Sequence, residues 1–116
     1  MEILERNLED ELFELLKSDS GQEYLKRKGL EIYPNMFWQR QLYIGGYGIA
    51  DIVGFDSDGA SITGHIIELK TTKVTVKTIV QAFKYKKGVD RLCNYNNYPL
   101  EHCRVSIIGK SIRNGS

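Results

Sequence analysis

GYGIADIVGFDSDGASITGHIIELKTTK, residues 46–73, holds two apolar runs on either side of DSDG (56–59), and both runs carry charge in their interiors. Asp51 interrupts the first run; Glu68 and Lys70 interrupt the second. β-branched and aromatic residues on both sides of a tight-turn tetrapeptide predict two strands of a hairpin. Side chains alternate along a strand, so Ile49, Asp51, Val53 and Phe55 share one face, and Glu68 and Lys70 share one face of the next. Antiparallel pairing through DSDG brings the charged ends to one edge, with Asp51 near Glu68 and Lys70 alongside. Burying a lone carboxylate costs several kcal/mol unless a cation or hydrogen bonds offset it. These charges therefore need a reason to be there.

Working outward, MFWQRQLYIG (36–45) reads as a preceding strand, with Gly45 and Gly46 as a turn. Upstream, Leu4, Leu8, Leu12, Leu15 and Leu16 recur at helical spacing within residues 3–17, and GQEYLKRKG (21–29) predicts a short second helix closed by Gly29. Downstream, TVKTIVQAFKYKKGVDRL (75–92) predicts a helix with Thr75 or Thr78 as N-cap, and CRVSIIGKS (103–111) a last strand after the loop NYNNYP. IRNGS at 112–116 reads as a frayed tail. The expected fold class is α/β: one domain over residues 1–116, a mixed β-sheet flanked by helices with an α-β-β-β-α-β core. The crossover after the third strand is expected to be right-handed.

The 116 residues suit one core, and 41% hydrophobic with 27% charged residues is the composition of a folded globular chain. A net charge of +1 hides an uneven distribution. Residues 1–31 hold nine acids and five bases, whereas 70–91 hold seven bases and one acid, Asp90. Such a local basic surface steers polyanions; the plainer reading is a solvated lysine-rich helix face. No apolar run approaches the ~20 residues of a membrane span, and MEILERNLED lacks the pattern of a signal peptide. Cys93 and Cys103 match no structural zinc spacing and are expected as reduced thiols in a cytoplasmic protein.

Two crowded carboxylates raise each other's energy unless a cation sits between them. Mg²⁺ meets that need, because it takes one or two carboxylates, a carbonyl and several waters. It would also activate a water and polarise a phosphodiester, with the lysine stabilising developing charge. The competing reading is a plain Asp51–Lys70 salt bridge. In order along the chain, EDELFELL, GIADIVGFD, IIELK and IVQAFKY resemble the PD-(D/E)xK nuclease superfamily over about residues 5–92. The likeness is to the small archaeal-type Holliday-junction resolvases and NucS-type nuclease domains. Ala50 stands where the family usually has proline.

The resemblance implies a restriction-endonuclease-like fold and a nuclease that hydrolyses DNA phosphodiesters through Mg²⁺-activated water, with Mn²⁺ as a substitute. Asp51 and Glu68 match the metal ligands, the Leu69 carbonyl a backbone ligand, and Lys70 the catalytic lysine. Gln81 matches the helix glutamine, with Tyr85 one turn on. Glu9 fits the helical acid of the catalytic and metal set, because Glu9, Leu12 and Leu16 repeat the family's spacing; Glu5 and Glu11 are the alternatives. Lys73, Lys77, Lys84, Lys86, Lys87, Tyr85 and Arg40 are the expected nucleic-acid contacts. DNA is the expected partner, together with a homodimer built on Phe37, Trp38, Tyr95 and Tyr98 and a larger assembly that supplies specificity. The alternative function is a nucleic-acid-binding or partner-binding module on the same fold that does not cleave.

Overall fold

A computed structural model of the chain describes residues 5–57, 61–70, 74–97 and 99–109. Two helices, α1 (Glu5–Leu16) and α2 (Asp19–Arg27), precede three strands, β1 (Phe37–Tyr43), β2 (Ile49–Ser57) and β3 (Ile62–Lys70). A long helix, α3 (Val76–Tyr95), then leads to β4 (Leu100–Gly109). The strands form one sheet in the order β1-β2-β3-β4, antiparallel at the first two junctions and parallel between β3 and β4. The chain is thus a mixed α/β protein with a four-stranded mixed sheet. Asp56 and Ser57, the first half of the expected DSDG turn, belong instead to β2, where the antiparallel ladder pairs them with Thr63 and Ile62. Residues 58–60 and the tail at 112–116 lie outside the described residues.

Three of the boundaries that differ from the sequence expectation have a clear local reason. α2 starts at Asp19 because Ser18 caps it, its hydroxyl accepting from the Gly21 N–H at 3.0 Å. The second strand starts at Ile49 because Gly45–Tyr47 coils into a 3-10 turn before the chain extends. The last strand starts at Leu100, three residues early, because parallel pairing with β3 recruits it: the Ile62 N–H donates to Pro99 O, and Ile62 pairs with Leu100. α3 has Thr75 as its N-cap, with Thr75 and Thr78 bonding reciprocally as a capping box.

The two faces of the sheet have separate cores. On one face, Leu12 and Leu16 of α1 and Leu25 of α2 form a core with Trp38, Ile52, Ile67 and Leu69 of the sheet. On the other face, α3 covers Val53 and Ile66 with Tyr85, Val89 and Cys93. Burying each such side chain stabilises the fold by about 2 kcal/mol. Trp38, expected at an interface, belongs to the first core at 7% exposure. Its ring lies over Gly54, where a Cβ would come within 2.7 Å of it. Phe37 and Tyr95 are exposed, and Tyr98 lies outside the described residues.

The α1–α2 elbow depends on Gly21. A Cβ there would sit 2.1 Å from the Leu15 carbonyl oxygen, and main chain cannot swing aside as a flexible side chain would. Gly21→Ala is therefore expected to destabilise the protein by about 2 kcal/mol through overpacking. Urea unfolding checks this; an unchanged midpoint would mean that the two helices approach less closely.

Candidate functional site

The ladder between β2 and β3 runs from Ser57–Ile62 to Ile52–Ile67 and stops short of Asp51. Beyond it, the Leu69 N–H donates to Asp51 Oδ2 at 2.9 Å, so a carboxylate replaces the backbone acceptor that a longer ladder would supply. Asp51 stands on the α3 face with Val53, and Glu68 with Ile66, as strand alternation requires. The hairpin register thus brings the two acids to the same open end of the sheet.

Several effects compete at the Asp51 carboxyl. Burial is the largest and raises its pKa above the ordinary aspartate value; the Leu69 amide opposes that shift. The negative charge of Glu9 raises it further, while a hydrogen bond with Glu68 and the charge of Lys70 lower it. Two carboxyl groups share a hydrogen bond only with a proton between them, and a cation is the other way to relieve their crowding. Among the described residues no ion pair joins Asp51 to Lys70. Lys70 instead lines a hollow of about 230 Å³ with Glu68, Thr75, Lys77, Thr78 and Gln81.

α3 supplies the opposite wall. Gln81 and Tyr85 lie one turn apart and hydrogen-bond to each other. Burial raises the Tyr85 pKa, and the charges of Glu68 and Asp51 add to the rise. Tyr85 is thus a buried side chain turned to the two acids, not an exposed contact. Gly48 makes room for the pair. Its φ of +111° favours glycine, and a Cβ there would lie 3.1 Å from the Tyr85 ring and 3.7 Å from Gln81 Nε2.

Glu9, on α1, is buried at 6% exposure and occupied at both oxygens. Oε2 accepts from Arg40 Nε at 2.8 Å and Oε1 from Gln41 Nε2 at 2.6 Å. Arg40 also pairs with Asp10. Consecutive strand residues normally point to opposite faces; Gln41 escapes that rule with a φ of +52°, a costly conformation for a residue with a Cβ. Gln41 and Asp10 are site residues that the sequence reading missed, and no motif flags a strained residue inside a strand. Arg40, expected at a nucleic acid, is committed to α1. Glu11 is exposed, lining an apolar hollow between the two N-terminal helices and β4, and the Glu5 side chain lies outside the described residues.

Among the described residues no group of three or more His, Cys, Asp or Glu side chains gathers closely enough to hold a metal ion. The acidic unit is therefore Asp51 with Glu68, and Glu9 influences it through its charge from α1. The pair does suit a hard cation that keeps several waters, since such an ion asks for one or two carboxylates and a carbonyl. The N–H and C=O of a strand residue point the same way, so the Leu69 carbonyl faces the Asp51 side with its amide.

The lysines divide. Lys77 lines the acidic hollow, and Lys84 follows Gln81 by three residues on the same flank. Lys86 and Lys87 line a separate hollow with Phe83, Asp90, Leu100, Glu101 and Cys103. Lys73 lies outside the described residues. No helix of the described residues is long and apolar enough to cross a membrane. No protein-family model, curated protein or solved structure matches the chain.

Proposed function

We propose that the protein is a Mg²⁺-dependent nuclease of the PD-(D/E)xK type that hydrolyses phosphodiester bonds in DNA. The observation that supports this most is the convergence of Asp51 and Glu68 at the open end of β2 and β3, with Leu69 bonded to Asp51 and Lys70 beside Glu68. Asp51, Glu68 and the Leu69 carbonyl would hold the cation. Bound there, it would act as a Lewis acid and as the source of an acidified water. Lys70 reaches the hollow beside Glu68 and stabilises negative charge that develops on phosphate oxygens. Gln81 bounds the same space and fixes the approach of the scissile group, with Tyr85 one turn behind it. Glu9, held by Arg40 and Gln41, adds negative charge behind Asp51 and strengthens its claim on a cation.

Metal-dependent nicking of supercoiled plasmid, with EDTA as control, tests the reading. Branched, single-stranded and duplex DNA in Mg²⁺ and in Mn²⁺ then identify the substrate. Cleavage that persists in EDTA would overturn the reading. DNA binding without cleavage under every condition would favour the non-cleaving module.

The division of the lysines gives a further expectation. Each phosphate contact contributes about one unit to the salt dependence of binding. Replacing Lys77 and Lys84 with alanine should lower affinity for all duplex sequences and flatten the salt slope by about two. Replacing Lys86 and Lys87 should leave the slope unchanged. Fluorescence polarisation across a salt series measures both, and the reverse pattern would place DNA on the other flank of α3.

A further inference from the structure

Helix α3 is buried along one line, Thr78, Ala82, Tyr85, Val89 and Cys93, yet its opposite side is not polar. Val76 is 76% exposed, Val80 61%, Phe83 53% and Ile79 42%. Val76, Val80 and Phe83 stand at i, i+4 and i+7, so they make one continuous apolar stripe over the first two turns. Single exposed apolar residues are ordinary on protein surfaces, whereas a contiguous group marks an interaction site. The stripe continues at i+11 and i+15 into Lys87 and Arg91, both exposed. Apolar anchors and an end with a net basic charge, Lys87 and Arg91 against Asp90 beside them, therefore lie on a single helix face.

That combination decides between occupants. Phosphates would satisfy Lys87 and Arg91 but leave Val76, Ile79 and Val80 in water, because aliphatic side chains offer a nucleic acid neither stacking nor hydrogen bonds. A second copy of the same face would bring to Lys87 and Arg91 either the same basic residues or the apolar turns, with Asp90 the one acid of each α3, and so leave an excess of like charge without full pairing. A segment with apolar residues at helical spacing and carboxylates beyond them complements both halves.

We propose that the outer face of α3 docks an acidic amphipathic helix of a partner protein, seated on Val76, Ile79, Val80 and Phe83 with its carboxylates on Lys87 and Arg91. The hollow holding Glu68, Lys70 and Gln81 opens on another flank of α3, so the partner leaves it clear. This inference stands whether or not the protein cleaves DNA.

The probe is a fluorescein-labelled helical peptide of about four turns, with leucine and phenylalanine at i, i+4 and i+7 followed by glutamates. Its comparators are a twin with lysines for the glutamates and a scramble of the same composition. With the full chain, the acidic peptide should bind at least about tenfold tighter than either comparator, the loss expected when anchors or charges are removed. Val80→Ser with Phe83→Ser should abolish that preference with at most a small shift of the thermal unfolding midpoint, since both side chains are more than half exposed. Lys87→Glu with Arg91→Glu should turn the preference towards the lysine twin. Equal binding of the acidic peptide and its scramble would overturn the proposal. So would displacement of the peptide by a short DNA duplex whose own binding the serine variants abolish. A dimer in light scattering that those variants dissolve would overturn it in favour of a second copy.

Discussion

Plasmid nicking in Mg²⁺ is expected to fall about a thousandfold in each of Asp51→Asn, Glu68→Gln and Lys70→Ala, the loss that follows removal of a charged group acting on the reacting centre. The fold should survive all three. In Asp51→Asn the new amide side chain would keep an oxygen for the Leu69 N–H, which bonds the carboxylate in the parent chain. Stability should rise slightly in Asp51→Asn at neutral pH. Burial and the Glu9 charge hold the Asp51 pKa above its ordinary value, so ionised Asp51 is disfavoured in the folded chain. The contribution of the protonated acid is present below the unfolded aspartate pKa and is lost as pH rises through the folded value. Asparagine escapes that loss. Nicking assays paired with thermal unfolding therefore separate the readings. Full activity in any variant would remove that residue from catalysis, and unfolding in all three would mean that the charges serve the sheet.

Acid should destabilise the protein through His65. This side chain is fully buried, its Nε2 lies 2.9 Å from Ser106 Oγ, and its ring packs against Trp38 and Tyr33. Burial, reinforced by the positive charge of Arg104, lowers its pKa to about 4. The folded chain thus prefers neutral imidazole. Its contribution is fully present above the unfolded value near 6.5 and is lost as pH falls towards 4, which amounts to about 3 kcal/mol across that window. Asp51 acts in the opposite sense, gaining stability as it protonates. Urea unfolding between about pH 7 and about pH 4.5 should show a marked loss in the parent chain and a flatter profile in His65→Gln, which cannot titrate. Equal slopes would mean that His65 accepts its proton without cost.

The order of helices and strands follows from what can be read locally in this chain. Leucines at helical spacing and the β-branched runs around Asp51 and Glu68 each specify an element through its own neighbours. The juxtaposition of Asp51 and Glu68 is also legible, because a hairpin with a fixed turn has a fixed register and alternation then assigns the faces. Register could not say that the ladder would end at Ile52–Ile67 and leave the Leu69 amide to Asp51. Nor could helical periodicity choose among Glu5, Glu9 and Glu11. Burial of Glu9 against Arg40 and Gln41 required α1 to meet β1, more than thirty residues away, and a left-handed Gln41 that no propensity predicts. The split of the α3 lysines, the turning of Tyr85 towards the acids and the early start of β4 likewise came from packing. Sequence specifies such elements because their energies are local, whereas tertiary structure decides which side chains lose water together and so which charges must find partners.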